Sequence, residues 1–438
     1  MRYYFLLWLL LPAYSFAQNT KAKISISDLD KIAVDYVRLG LSIGQYDDNF
    51  VDAYYGPDSL KPVSEKQAIF PKDSFLHATK VLQVQLTPLI NSEDASISKR
   101  ANWLNGQLTA FGRRIKMFAG EQCSFEQQVK ELFGVEPPVH NEVYFKRVLD
   151  QLNDALPGEG SVSARFHELE SRFIIPKEKL DTVIKTTIAE SKRRTLEHIQ
   201  LPASENFELE YKTNKPWGGY NWYQGNFKSL MQFNTDVNWG VSGVIDLASH
   251  EGYPGHHVYN ILLEKNLYND KGWIEISIYP LFSPQSLIAE GSANYGIEAA
   301  YPTAEKWKFI KEQLLPLASL DTTGITRYFE ALAVKGKLSD VRIEICRRLL
   351  NGKMTEAAAR RWLIEYGLTE EKDVDRSLSF IKKYQSYIIN YTFGLELVRN
   401  YIESNGGTES NPSRRWELFA WLLSNEVTPQ YLLMNMKR

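Results

Sequence analysis

Cysteine is nearly absent from this chain: Cys123 and Cys346 are the only two in 438 residues. Two distant thiols make no disulfide framework, and neither sits near a histidine in sequence, so a cysteine nucleophile has no support. They read as buried thiols, with a single disulfide as the alternative in an oxidising compartment. An excess of either charge is missing too, since 51 Lys+Arg stand against 53 Asp+Glu for a formal net charge of −2. That balance excludes broad electrostatic attraction to nucleic acid, and no nucleic-acid partner is expected. Beyond the first residues no run reaches about 18 uninterrupted apolar residues, so no stable membrane insertion is expected of the mature protein. There is no Gly-x-Ser-x-Gly elbow and no Walker-type phosphate loop, which argues against serine hydrolases and nucleotide-driven chemistry.

What is present describes a globular, exported protein. Hydrophobic residues make up 44% and charged residues 24%, far from the composition of disordered chains. At the N-terminus Arg2 precedes the apolar run Tyr3 to Leu11, and Ser15-Phe16-Ala17 supplies a small-x-small cleavage pattern. Residues 1–17 therefore read as a secretory signal peptide, which places the mature chain in the periplasm or outside the cell. A retained membrane anchor is the alternative, although the run is short and is interrupted by Pro12.

Residues 18–204 carry helical periodicity, for example Ile32, Tyr36, Leu39 and Ile43 after a start near Ser27 and Asp30. Ser124 with Gln127 marks another start, on a segment closing at Gly134. His77, His140, His167 and His198 are scattered here and read as surface or packed side chains. Residues 205–438 form the second part. Phe207, Leu209 and Tyr211 alternate with charged residues as in a half-buried strand. Asn221 to Gln224, a Gly225-Asn226 turn and Phe227 to Thr235 read as a hairpin, the last strand being a candidate edge for an extended peptide near Asn234. Helices are expected at Thr355 to Gly367, Thr369 to about Asn390, and from Asn411-Pro412. The expected fold is mainly α with a small β-sheet, the two parts forming one compact body.

Of only seven histidines, three lie within eight consecutive residues: Ser249-His250-Glu251-Gly252-Tyr253-Pro254-Gly255-His256-His257. In zinc hydrolases carrying His-Glu-x-x-His, histidines four apart share a helical face and hold the metal, and the intervening glutamate acts on water there. Here Pro254 stands where the second histidine would be. On an unbroken helix His256 would lie about 120° around from His250, and His257 about 10.5 Å along the axis. Proline disrupts such a helix, because it lacks the amide hydrogen and crowds the carbonyl four residues back. If Pro254-Gly255 bulges out, His256 returns to the four-residue register, so His256 is favoured over His257, which would then support the ligands. Downstream, Ala289-Glu290-Gly291-Ser292-Ala293-Asn294-Tyr295 offers Glu290 as a third ligand, its glycine and small residues permitting close approach to the histidine helix. The alternative is that Glu290 merely opens a helix.

These residues resemble a bacterial family grouped as domain of unknown function 885, regarded as gluzincin-like metallopeptidases. Ser249 to Tyr259 matches its His-Glu-x-x-Pro-Gly-His-His run. Glu290 to Tyr295 is similar to its Glu-Gly-Trp-Ala-x-Tyr element, with Ser292 in place of tryptophan, and Tyr391-Thr392-Phe393-Gly394 to its late Tyr-x-x-Gly. Tyr36 to Pro57, including the run Val51 to Pro57, has the flavour of one branch. Two departures stand out: Gln385-Ser386-Tyr387 occupies the place of Pro-Gly-Gln, and the Asp-x-Gly-x-His element has no clear histidine, only Glu344 to Leu350. The resemblance implies a gluzincin-like architecture and one Zn2+ per chain on His250, His256 and Glu290. It further implies Glu251 as general base and Tyr391 as donor to the developing oxyanion, with a peptide or small amide as substrate. Two rival readings are an inactive metal-binding secreted protein and a purely structural histidine cluster.

Overall fold

The helical periodicity of the first part becomes a succession of helices: Ile26–Gly44, Lys72–Ile90, Ala95–Phe118, Phe125–Phe133, Glu142–Ala155, Val162–Ser171 and Lys177–Leu196. This computed structural model describes residues 26–437 except Pro216, so the leader expected at 1–17 lies outside the described residues. The expected helical stripe is real, since Ile32, Tyr36, Leu39 and Ile43 are all buried. Ser124 caps Phe125–Phe133 by accepting from the Gln127 amide, and Gly134 closes that helix in the left-handed region. Cys123 and Cys346 are both free, Cys346 buried and Cys123 half-buried, so the disulfide alternative is not realised. The described residues are mainly α with two small sheets. Buried apolar residues from Leu29 to Leu432 form one contiguous core drawn from both parts of the chain.

The strands are β1 (Val51–Tyr54), β2 (Asn206–Lys212), β3 (Gly219–Gly225), β4 (Lys228–Asn234) and β5 (Ile278–Pro280). β1 pairs antiparallel with β5, with an irregularity between Val51 and Ala53 that falls on Asp52. The larger sheet runs β2-β4-β3, with β2 parallel and β3 antiparallel to β4. This corrects the expectation that Phe227 to Thr235 forms an edge, because β4 has a partner on each side. The hairpin turn also shifts by one residue. Asn226 and Phe227 are the two residues with φ of 53° and 59°, and Gly225 already pairs with Lys228. Glu264, buried beneath the turn, accepts from the Asn226 and Phe227 amides and from the Tyr223 hydroxyl. A carboxylate so placed satisfies the exposed donors of the turn and fixes its conformation.

Two further expectations change. The helix expected from Thr369 to about Asn390 is broken at Gln385, whose φ is 49°, into Glu371–Tyr384, a 3-10 turn Gln385–Ile388 and Ile389–Ser404. Glu290 does not open a helix. It lies in the middle of Pro284–Ala300, which starts at Ser283 with a capping box to Ser286. The close approach permitted by Gly291 is made to another neighbour than the histidine helix: a β-carbon placed there would lie 2.3 Å from the Gly394 carbonyl oxygen. The two glycines thus let Pro284–Ala300 and Ile389–Ser404 pack backbone to backbone.

Candidate metal centre

The histidine run folds as an interrupted helix. Val241–Glu251 ends at Gly252, the chain turns through Tyr253-Pro254-Gly255, and His256–Leu263 begins a second helix. The Gly255 amide returns to the Ser249 carbonyl at 3.0 Å, folding the loop back onto the end of the first helix. A β-carbon at Gly255 would come within 1.9 Å of the His250 carbonyl oxygen, so only glycine allows this fold-back. The interruption is four residues long rather than the two-residue bulge expected, but its effect is the same. His250 Nε2 and His256 Nε2 stand 3.1 Å apart.

Glu290 completes the group. Its Oε2 lies 3.2 Å from His250 Nε2 and 3.7 Å from His256 Nε2. Four ligands at about 2.0–2.2 Å from a tetrahedral zinc stand roughly 3.3–3.6 Å from one another, and these three separations bracket that range. Glu290 is 7% exposed, and its Oε2 is a buried oxygen without a hydrogen-bond partner. Two imidazoles and an orphaned carboxylate oxygen, all converging, are a donor set suited to a divalent cation of the zinc type. Among the described residues, His250, His256 and Glu290 form the cluster able to hold a metal.

The surroundings orient these donors. Tyr387 donates to Glu290 Oε1 at 2.8 Å, leaving Oε2 for the histidines. Asn294 donates from Nδ2 to the Tyr391 carbonyl at 3.0 Å, which turns its Oδ1 toward His250 Nδ1, also at 3.0 Å. His250 therefore carries its proton on Nδ1 and offers the lone pair of Nε2 to the centre. Burial opposes charge on His250, yet Glu290 and Glu251 lift its pKa to about 9. Burial likewise opposes ionisation of Glu290, and His256 and His250 overcome it, holding the carboxyl well below its usual range.

His257 points the other way. It is fully buried, with Nδ1 2.8 Å from Ser229 Oγ and Nε2 3.0 Å from Glu205 Oε2. Of the two adjacent histidines the structure brings His256 to the centre and His257 to a dry network behind it.

Glu251 and Tyr391 line the same cavity as the three donors, a space of about 790 Å³. Burial raises the Glu251 carboxyl, and His250 and His256 draw it part of the way back. Burial and then the Glu290 carboxylate push the Tyr391 phenol well above its ordinary value, so it stays protonated and able to donate. Asn221 donates to the Glu251 carbonyl at 2.6 Å, tying the end of the first histidine helix to β3. Gly218 to Asn221 also face this cavity, so the strand beside the site is β3 rather than β4.

Sequence reasoning missed Asp52, Asn294 and Tyr387. Asp52 reaches the cavity from β1 and accepts from Tyr220 at 3.1 Å. Burial raises its carboxyl to about 6, with Tyr220 and His256 opposing and Glu290 and Glu251 assisting. Nothing local to residue 52 announces this. Asn294 was legible, since it lies four residues after Glu290 and so on the same helical face. The other histidines are packed or superficial as expected: His198 stacks on Trp416, and His167 bonds Glu170 and the Leu368 carbonyl.

No known family profile matches the chain, and no curated protein matches it in sequence. A solved structure described as "the putative lipoprotein from Colwellia psychrerythraea" aligns with a TM-score of 0.52 at 16% identity, covering 83% of this chain. The chain spans 66% of the length of that structure. At this identity the similarity is one of fold, and among the described residues no helix is long and apolar enough to cross a membrane.

Proposed function

We propose that this protein is an exported zinc-dependent hydrolase that cleaves peptide bonds, related to the family grouped as domain of unknown function 885. The observation that carries the reading is the orphaned Glu290 Oε2 facing His250 Nε2 and His256 Nε2 in a cavity that Glu251 also lines. Export is supported by the leader pattern of residues 1–17 and by the name of the structural neighbour, a lipoprotein.

His250, His256 and Glu290 would hold the cation, which when bound polarises water and the scissile carbonyl. Glu251 takes a proton from the attacking water as its oxygen bonds to the carbonyl carbon. The same carboxyl then returns the proton to the leaving nitrogen as the C–N bond breaks, so Glu251 ends as it began. Tyr391 donates a hydrogen bond to the oxygen that gathers negative charge. An extended substrate is accommodated along β3, whose residues Gly219 to Asn221 border the cavity, in the manner of strand addition.

The test is metal content with turnover. Purified mature protein should carry about one zinc per chain and cleave members of a peptide library, and a chelator should stop it. Glu251→Gln should keep the zinc and lose roughly a hundred- to ten-thousand-fold in turnover. A Glu251→Gln variant as active as the parent would remove Glu251 from the mechanism, and zinc-loaded protein that cleaves nothing would refute the peptidase reading.

A further inference from the structure

The cavity holding the metal cluster continues into a second of about 1040 Å³, and Asn294, Arg342, Arg376, Phe380 and Tyr391 line both. Arg342 marks the junction. It sits in the first turn of the helix Val341–Leu350, where the helix dipole disfavours a cation. Among the described residues it makes no hydrogen bond and no ion pair, and the titratable groups acting on it are Tyr391 and a second guanidinium, Arg376. Arg376 is itself paired with Asp373 at 2.9 Å. Its side chain is exposed to the cleft, on the unfavourable end of a helix and beside a like charge, and Asp246, a carboxylate that also lines both cavities, is taken by Lys306. The guanidinium is therefore free to meet an anion that enters the cleft, and a planar carboxylate matches its fork of donors.

We propose that Arg342 receives the free terminal carboxylate of the substrate, so that the protein trims peptides from their carboxyl end. The assignment rests on the peptidase reading. Tyr391 faces both Arg342 and the metal cluster, so a chain held by its terminus at Arg342 runs past Tyr391 toward Glu251 and the three donors. Internal cleavage of a long polypeptide would leave Arg342 without a partner; removal of terminal residues would give it one at every turnover.

The experiment uses full-length mature protein carrying Glu251→Gln, which keeps bound peptide intact. The probes are a fluorescein-labelled Ala-Phe-Leu tripeptide with a free carboxyl terminus, its amide, and the amide of Ala-Phe-Glu. The free acid should bind at least ten-fold more tightly than either amide. Adding Arg342→Gln should bring the acid to the affinity of its amide while leaving amide binding unchanged, and Arg342→Lys should keep part of the preference. Equal binding of acid and amide, a preference that survives Arg342→Gln, loss of amide binding in that variant, or no binding at all would overturn the proposal. Tight binding of the glutamate amide would overturn the terminal specificity. The two readings fail separately. Acid-selective binding without cleavage by the zinc-loaded parent sinks the peptidase reading, whereas equal cleavage of acid and amide sinks the anchor alone.

Discussion

The same octapeptide builds two histidine–carboxylate clusters that face opposite ways. On the cavity side His250, His256 and Glu290 converge, and Glu290 Oε2 has no hydrogen-bond donor. On the core side both ring nitrogens of His257 and both carboxylate oxygens of Glu205 have partners, supplied by one another and by Ser229, Tyr253 and Lys192. Burial holds His257 below the ordinary histidine range, and Glu205, opposed by burial, is still drawn down to about 2 by His257, Lys192 and Tyr253. A saturated network has nothing to offer a ligand and serves to fix the loop; an unsaturated one keeps an acceptor that could take a cation. What separates ligand from scaffold is therefore unfilled coordination, not the presence of histidine beside acid.

The largest effect expected from this contrast is a reversal between adjacent residues. His256→Ala should abolish zinc binding. His257→Ala should keep zinc stoichiometry and lose about 3 kcal/mol of folding stability, because it strands Glu205 and opens a cavity. Zinc content by elemental analysis and denaturant unfolding of both variants check this; loss of metal in His257→Ala with the fold intact would break the comparison. The acid side of the core cluster comes next. Because the folded-state pKa of Glu205 lies near 2 against an ordinary 4.5, its contribution is present above about pH 4.5 and is lost as pH falls toward 2. That contribution is on the order of 3 kcal/mol. Melting temperatures between pH 5 and pH 2.5 should fall more steeply in the parent than in Glu205→Gln. The smallest effect sharpens the cavity side. Asn294→Ala should weaken zinc affinity by roughly ten- to a hundred-fold, with stoichiometry intact, by freeing the His250 ring from its tautomer. Competition with a chelating dye reads that change.

How much of this was legible in the sequence depended on how local each feature was. The histidine run, its break at Pro254 and the helix caps at Ser124, Thr355 and Asn411 are set by neighbours within a few residues, and all are found where local chemistry puts them. Choosing His256 over His257 followed from register alone. Strand order did not, because β2 joins β4 in parallel across the intervening β3, a pairing that no alternation pattern encodes. The roles of Asp52, Tyr387 and Arg342 were invisible for the same reason. Asp52 is brought in by a strand some 200 residues before the histidines, and Tyr387 is aimed at Glu290 by a helix break at Gln385 that periodicity does not show.

The most direct test of the central claim is a crystal of the mature protein grown with zinc, measured on both sides of the zinc absorption edge. The account expects one anomalous peak about 2.0–2.2 Å from His250 Nε2, His256 Nε2 and Glu290 Oε2 together. A peak bound by His257, or none among these side chains at full zinc occupancy in solution, would contradict it.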